Sequence, residues 1–116
     1  MWKYFKEAEF ACPGCGENEI STKLIDMLEV ARATSLIPFH INSGYRCRKH
    51  NKKVGGNRLS AHKKGLAADI RAKTSKDRYR IINGLIDAGF TRIGIAKTFI
   101  HVDIDSSKPQ CIIYLY

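Results

Sequence analysis

The decapeptide from Ser60 to Asp69, Ser-Ala-His-Lys-Lys-Gly-Leu-Ala-Ala-Asp, sets an imidazole and a carboxylate on either side of a glycine. Gly65 permits a turn that other residues resist, and Ala67 and Ala68 let neighbouring atoms approach closely. A second histidine, His101, stands in the apolar run Phe99-Ile100-His101-Val102-Asp103-Ile104. Two neutral imidazoles and one carboxylate, with a fourth position left for water, are the usual ligand set of a catalytic zinc ion. A fold that uses all three must bring the two stretches together. The expectation is a metal-dependent hydrolase with His62, Asp69 and His101 as ligands.

Periodicity supplies elements that can do this. Ile20, Leu24, Met27, Leu28 and Ala31 recur at helical spacing, with Asn18 or Ser21 as cap and an end at residues 34–36, before Pro38. Phe39 to Asn42 reads as a short strand, and Ser43-Gly44-Tyr45-Arg46 as a turn. Residues 46–64 read as a basic loop, softest at Gly55-Gly56. Ala67 to Ala72 reads as a strand, and Thr74 or Ser75 caps a second helix whose apolar face is Tyr79, Ile82, Leu85 and Ile86, stopped by Gly89. Residues 92–96, 99–104 and 111–115 read as three further strands. Helices alongside several short strands predict an α+β fold, with the helices packed on a mainly antiparallel sheet. The length of 116 residues fits a single domain, 1–116.

Strand alternation puts His101, Asp103 and Asp105 on one face and Ile100, Val102 and Ile104 on the other. Asp103 is therefore beside the ligand set, as the base that takes a proton from water or as a group that orients a ligand.

Charge bounds the partners. The formal net charge is +9, and Arg46 to Lys64 carries eight cations and no acid. Such a field steers polyanions, whether nucleic acid, anionic membrane or anionic cell wall. The basic stretch lacks interleaved aromatics beyond Tyr45 and any complete reader motif, so nucleic acid is not the expected partner. No stretch is long and apolar enough to span a bilayer, and the first residues lack the apolar core of a secretory signal. Synthesis in the cytoplasm as a monomer, without stable membrane insertion, is the expectation. Of the four cysteines, Cys12-Pro-Gly-Cys15 is half of a zinc-knuckle pattern; Cys47 and Cys111 form no second close pair in the chain, so a composite site would have to assemble in three dimensions, and reduced thiols are expected, with a Cys12–Cys15 disulfide as the alternative. His40 and His50 lie outside the strongest motif.

The order Ser43-Gly44-Tyr45-Arg46, Asn51, Val54-Gly55-Gly56, Ser60-x-His62-x-x-Gly65-x-Ala67-x-Asp69-Ile70 and Ile100-His101-Val102-Asp103 resembles the zinc D-alanyl-D-alanine peptidases that cut peptidoglycan. These share a fold with the hedgehog signalling domain and include phage endolysins, and the likeness spans roughly residues 9–105. The resemblance implies the same α+β domain, Zn2+ bound by His62, Asp69 and His101, and Arg46 on a substrate carboxylate. It also implies Ser60 near the substrate and a peptidoglycan stem peptide as substrate, cut by a carboxypeptidase or endopeptidase of endolysin type that acts on the wall after release. One position departs: many such enzymes carry an acid three residues before the last histidine as general base, and here it is Thr98. Asp103 is the nearest replacement, so it is the expected catalytic acid-base group together with Arg46. The departure also leaves open a zinc-bearing module that binds wall or protein without cutting.

Overall fold

The computed structural model describes residues 2–116, as three helices, two 3-10 turns and a five-stranded sheet. Helix α1 (Thr22–Ser35) starts where the Ser21 hydroxyl accepts the Leu24 N–H, and ends at Leu36 in the left-handed conformation, φ 65°. Leu24, Ile25, Leu28 and Ala31 form its buried stripe. The N-terminal arm is tied to this helix: Glu29 accepts the backbone N–H groups of Lys3, Tyr4 and Phe5 at 2.7–2.8 Å, and Phe5 and Phe10 pack edge to face within the core.

Helix α3 (Ser75–Asp87) is capped by Thr74, whose hydroxyl accepts the Asp77 N–H. Of the expected Tyr79-Ile82-Leu85-Ile86 stripe, Leu85 is buried and Ile82 packs against the core, but Tyr79 is 73% and Ile86 53% exposed, and Ile81 and Gly84 complete the buried face instead. Gly84 decides this orientation. A Cβ there would stand 2.5 Å from the Ala31 carbonyl oxygen, so the two helices meet at a spacing only glycine permits. Gly89, at φ +95°, turns the chain out of the helix as expected.

Strands β1 (Ile41–Ser43), β2 (Ala67–Arg71), β3 (Arg92–Ile95), β4 (Phe99–Asp103) and β5 (Ile112–Leu115) lie in the order β1-β2-β4-β3-β5. All neighbours are antiparallel except β3 and β5, which run parallel. The α+β fold with helices on a mainly antiparallel sheet is thus present. Ala68, Ile70, Ile93, Ile100 and Val102 point from one face of the sheet into the core shared with α1 and α3.

The basic stretch is more ordered than the expected loop. It contains helix α2 (Arg48–Lys53) and a 3-10 turn at Ala61–Lys64. α2 has no apolar periodicity to betray it. It is held by Cys47, whose sulfur accepts the His50 N–H, and by buried Asn51, whose amide donates to the Asn57 carbonyl.

Candidate active site

On the sheet face away from the helices, strand register builds one transverse row: Ser43, Asp69, His101, Gly94 and Tyr114, from β1 across to β5. Alternation fixes which face each residue takes, and pairing fixes its neighbours. Asp69 and His101 are therefore adjacent by construction. His62 reaches the same point from the 3-10 turn before β2. Ser60 caps that turn by accepting the His62 N–H at 3.2 Å, and Gly65, at φ +72°, closes it. A Cβ on Gly65 would overlap the Glu19 carbonyl, so the glycine is required by space as well as by φ.

Three ligand atoms converge here. His62 Nε2 lies 3.2 Å and His101 Nδ1 2.9 Å from the same oxygen of Asp69, and all three residues are buried. The far nitrogen of each ring fixes its tautomer. His62 Nδ1 donates to the Gly44 carbonyl at 2.7 Å, because a carbonyl can only accept. His101 Nε2 donates to Asp103 at 2.8 Å, and Asp103 accepts from Arg92 Nε at 2.8 Å and from the Asp105 N–H at 3.1 Å. Burial opposes ionisation of Asp103, but these contacts outweigh it and hold the carboxyl below its usual range. Burial likewise opposes ionisation of Asp69, and its contacts with His101 and His62 reverse the balance downward.

Burial opposes a charge on His101, but its contacts with Asp103 and Asp69 outweigh it and raise its pKa, so a proton bridges Nδ1 and Asp69. With the far nitrogens protonated, a metal ion replacing that proton meets a lone pair on each near nitrogen. Lone pairs facing each other repel unless positive charge sits between them. The donor set, two nitrogens and an oxygen within 4.8 Å of one another, each steadied from behind, fits a zinc ion.

Arg46 stands at the edge of this centre. Its Nε donates to Ser43, Nη1 to Asn51 at 3.3 Å and Nη2 to Asp69 at 3.4 Å, and its own N–H is bonded to the His62 carbonyl. Gly56 packs against Asn51 and Arg46, and beyond it opens a groove of about 960 Å³ lined by Arg48, Lys49, Lys52, Arg58 and Lys63. On the opposite side His101 meets an aromatic wall, with the Tyr116 and Tyr114 rings at 5.6 and 6.3 Å. Gly94 makes room for it, since a Cβ there would stand 2.7 Å from the Tyr114 ring. Burial first, and then the nearby Asp103 charge, push the Tyr114 phenol up to about 12, so it is a neutral hydroxyl at working pH.

A model of the peptidase M15 family matches residues 3–104. The chain belongs to the peptidase M15 family. Its chemistry is that of a zinc-dependent metallopeptidase. A search of curated proteins finds no match. In this M15 peptidase β5 lies beyond the matched residues, so Tyr114 and Tyr116 are not part of that likeness. No sequence signal marked them, because their place beside His101 arises from the parallel pairing of β5 with β3. Thr98 is exposed in the turn between β3 and β4, where its carbonyl accepts the Ala72 N–H. Cys47, which has no close partner in the sequence, lies beside Cys12 and Cys15, because the chain entering α2 folds back over the N-terminal arm. Among the described residues no helix is long and apolar enough to cross a membrane.

Proposed function

We propose that this single-domain, monomeric peptidase hydrolyses amide bonds of peptidoglycan stem peptides, in the manner of a phage or prophage lysin acting on the wall. The observation that carries the proposal is the convergence of His62 Nε2, Asp69 Oδ1 and His101 Nδ1, each ring held in the ligating tautomer from behind. These three side chains would hold zinc. A bound zinc ion polarises an amide carbonyl and lowers the pKa of water toward neutrality.

The remaining residues divide the work between holding and binding. Asp103 spends both oxygens on His101, Arg92 and the Asp105 amide, on the side of the imidazole away from the ligand atoms. That geometry favours a positioning role over proton abstraction: Asp103 leaves Nδ1 of His101 to the metal. Ser60, whose hydroxyl holds the His62 turn, serves the same end. Arg46, fixed by Ser43, Asn51 and Asp69, faces the substrate and pairs with a carboxylate of the stem peptide. The basic groove beside it extends the attraction to a wall rich in carboxylates and phosphates. Tyr114 and Tyr116 offer a flat wall against which the peptide lies.

The test is zinc content together with mass spectrometry of products released from purified peptidoglycan, for wild type and His62→Ala. One equivalent of zinc lost in His62→Ala and new termini released only by wild type would support the reading, and the termini would distinguish a carboxypeptidase from an endopeptidase. Zinc bound by wild type with no product from any wall type would replace it by the non-cutting module that Thr98 leaves open.

A further inference from the structure

A second constellation of metal-ligating atoms lies outside the active site. The sulfurs of Cys12, Cys15 and Cys47 are within 4.8 Å of one another, and all three cysteines are free thiols. Four thiolate or imidazole ligands at about 2.3 Å or less from one tetrahedral ion stand at most about 3.8 Å apart, so three sulfurs this close need little adjustment. A disulfide would use two of the three and leave the third unpaired beside it.

The surrounding backbone is already folded around the sulfurs. The Cys47 N–H donates to Cys12 Sγ at 3.4 Å and the His50 N–H to Cys47 Sγ at 3.5 Å. The turn carrying Cys12 and Cys15 is closed by Gly16 N–H to the Cys12 carbonyl and Cys12 N–H to the Glu17 carbonyl, both at 2.8 Å. His50 follows Cys47 by one turn of α2, and its ring lies on Gly14, in the middle of the Cys12–Cys15 turn: a Cβ on Gly14 would stand 2.7 Å from His50 Nδ1. The spacing is thus Cys-x-x-Cys followed by Cys-x-x-His. The second half of the pattern is a cysteine and a histidine, not a second pair of cysteines.

We propose that Cys12, Cys15 and Cys47 bind a second, structural divalent metal of the zinc class, and that His50, whose ring lies on Gly14 outside the three-sulfur group, turns in as the fourth ligand. This site clamps the segment that shapes the active centre. Cys47 directly follows Arg46, and Gly44, whose carbonyl fixes the His62 tautomer, packs so closely on Phe10 that a Cβ would stand 2.7 Å from its backbone. Tyr45 N–H bonds to the Phe10 carbonyl at 2.8 Å. A metal joining residues 12 and 15 to residue 47 therefore ties the N-terminal arm to the Gly44–Arg46 segment. The inference does not depend on the proposed substrate.

Cobalt substitution tests it, because thiolate ligands give sulfur-to-cobalt charge transfer in the near ultraviolet and a site of two histidines and an aspartate does not. Wild type should bind about two metals per chain, and His62→Ala about one, with the charge-transfer band retained. Cys15→Ser, a change at an exposed position, should lose the band and one metal, and should lower the melting temperature. Cys111→Ser, at another exposed cysteine, should change none of these. His50→Ala should weaken the band and shift the cobalt d–d spectrum. Absence of the band in His62→Ala protein with all thiols reduced, or a Cys12–Cys15 or Cys12–Cys47 disulfide in protein purified under reducing conditions, would overturn the proposal.

Discussion

Replacing Asp103 by asparagine separates the two roles open to this residue. The carboxylate receives only donors: Arg92 Nε and the Asp105 amide on one oxygen, His101 Nε2 on the other. Asparagine has one acceptor oxygen and an NH2, so one side must meet a donor with a donor. Turning the NH2 toward Arg92 leaves a guanidinium that is 6% exposed without its counter-charge and with only the Pro109 carbonyl as acceptor, at a cost of about 3–5 kcal/mol for a broken buried pair. Turning it toward His101 is cheaper, because the imidazole can move its proton to Nδ1 and accept through Nε2. Nδ1 then carries hydrogen and no longer ligates. Zinc affinity should fall about 10–100-fold, the range for losing a group that orients a ligand. Weakened pairing with Arg92 should cost roughly 2–3 kcal/mol even in the apoprotein, a drop in melting temperature on the order of 10 °C. Competition with a chromogenic chelator gives the affinity, and unfolding in excess chelator gives the stability. Unchanged zinc affinity with abolished hydrolysis would refute the argument and make Asp103 the base.

Three further outcomes follow from other contacts. Gly65→Ala should destabilise by about 2–4 kcal/mol in denaturant titration, because it adds overlap with Glu19 to the left-handed backbone cost, whereas Gly55→Ala, at φ +75° with open space around it, should show only about 1 kcal/mol; equal losses would remove the steric explanation. Arg46→Lys should lower kcat/KM roughly 10–100-fold with little change in stability, since an ammonium cannot bridge Ser43, Asn51 and a substrate carboxylate through a planar fork, and an unaltered kcat/KM would exclude Arg46 from substrate binding. Asp105 is buried, which alone would raise its pKa, yet the Ser107 hydroxyl and the Lys64 ammonium lower it from 3.8 to about 2. A carboxyl depressed in the folded state stabilises above its unfolded pKa and loses that contribution as pH falls through the folded one. Wild type should thus lose about 1–2 kcal/mol more than Asp105→Asn between pH 4 and pH 2, with Lys64 half exposed and screened, and parallel acid profiles would count against it.

Much of this protein could be read before any coordinates. Residue types and their order named His62, Asp69 and His101, because an imidazole and a carboxylate around a glycine, and a histidine in an apolar strand, have few structural reasons to occur together. The period of two placed His101 and Asp103 on one face, and the period of 3.6 found α1 with its Ser21 cap. These features are local, set by residues a few positions apart, and so survive in one dimension. Pairing and packing decided the rest. Which nitrogen of His101 faces Asp69 depends on Asp103 and Arg92 meeting across β4 and β3, and the face that α3 buries depends on Gly84 meeting Ala31 on another helix. The polar helix α2 has no hydrophobic period, and Tyr114 reaches His101 only because β5 lies parallel to β3 with Gly94 between them. Cys47 joins Cys12 and Cys15 for the same reason: residues far apart in sequence become neighbours when buried backbone and apolar surface find their partners, and local patterns do not encode that distance.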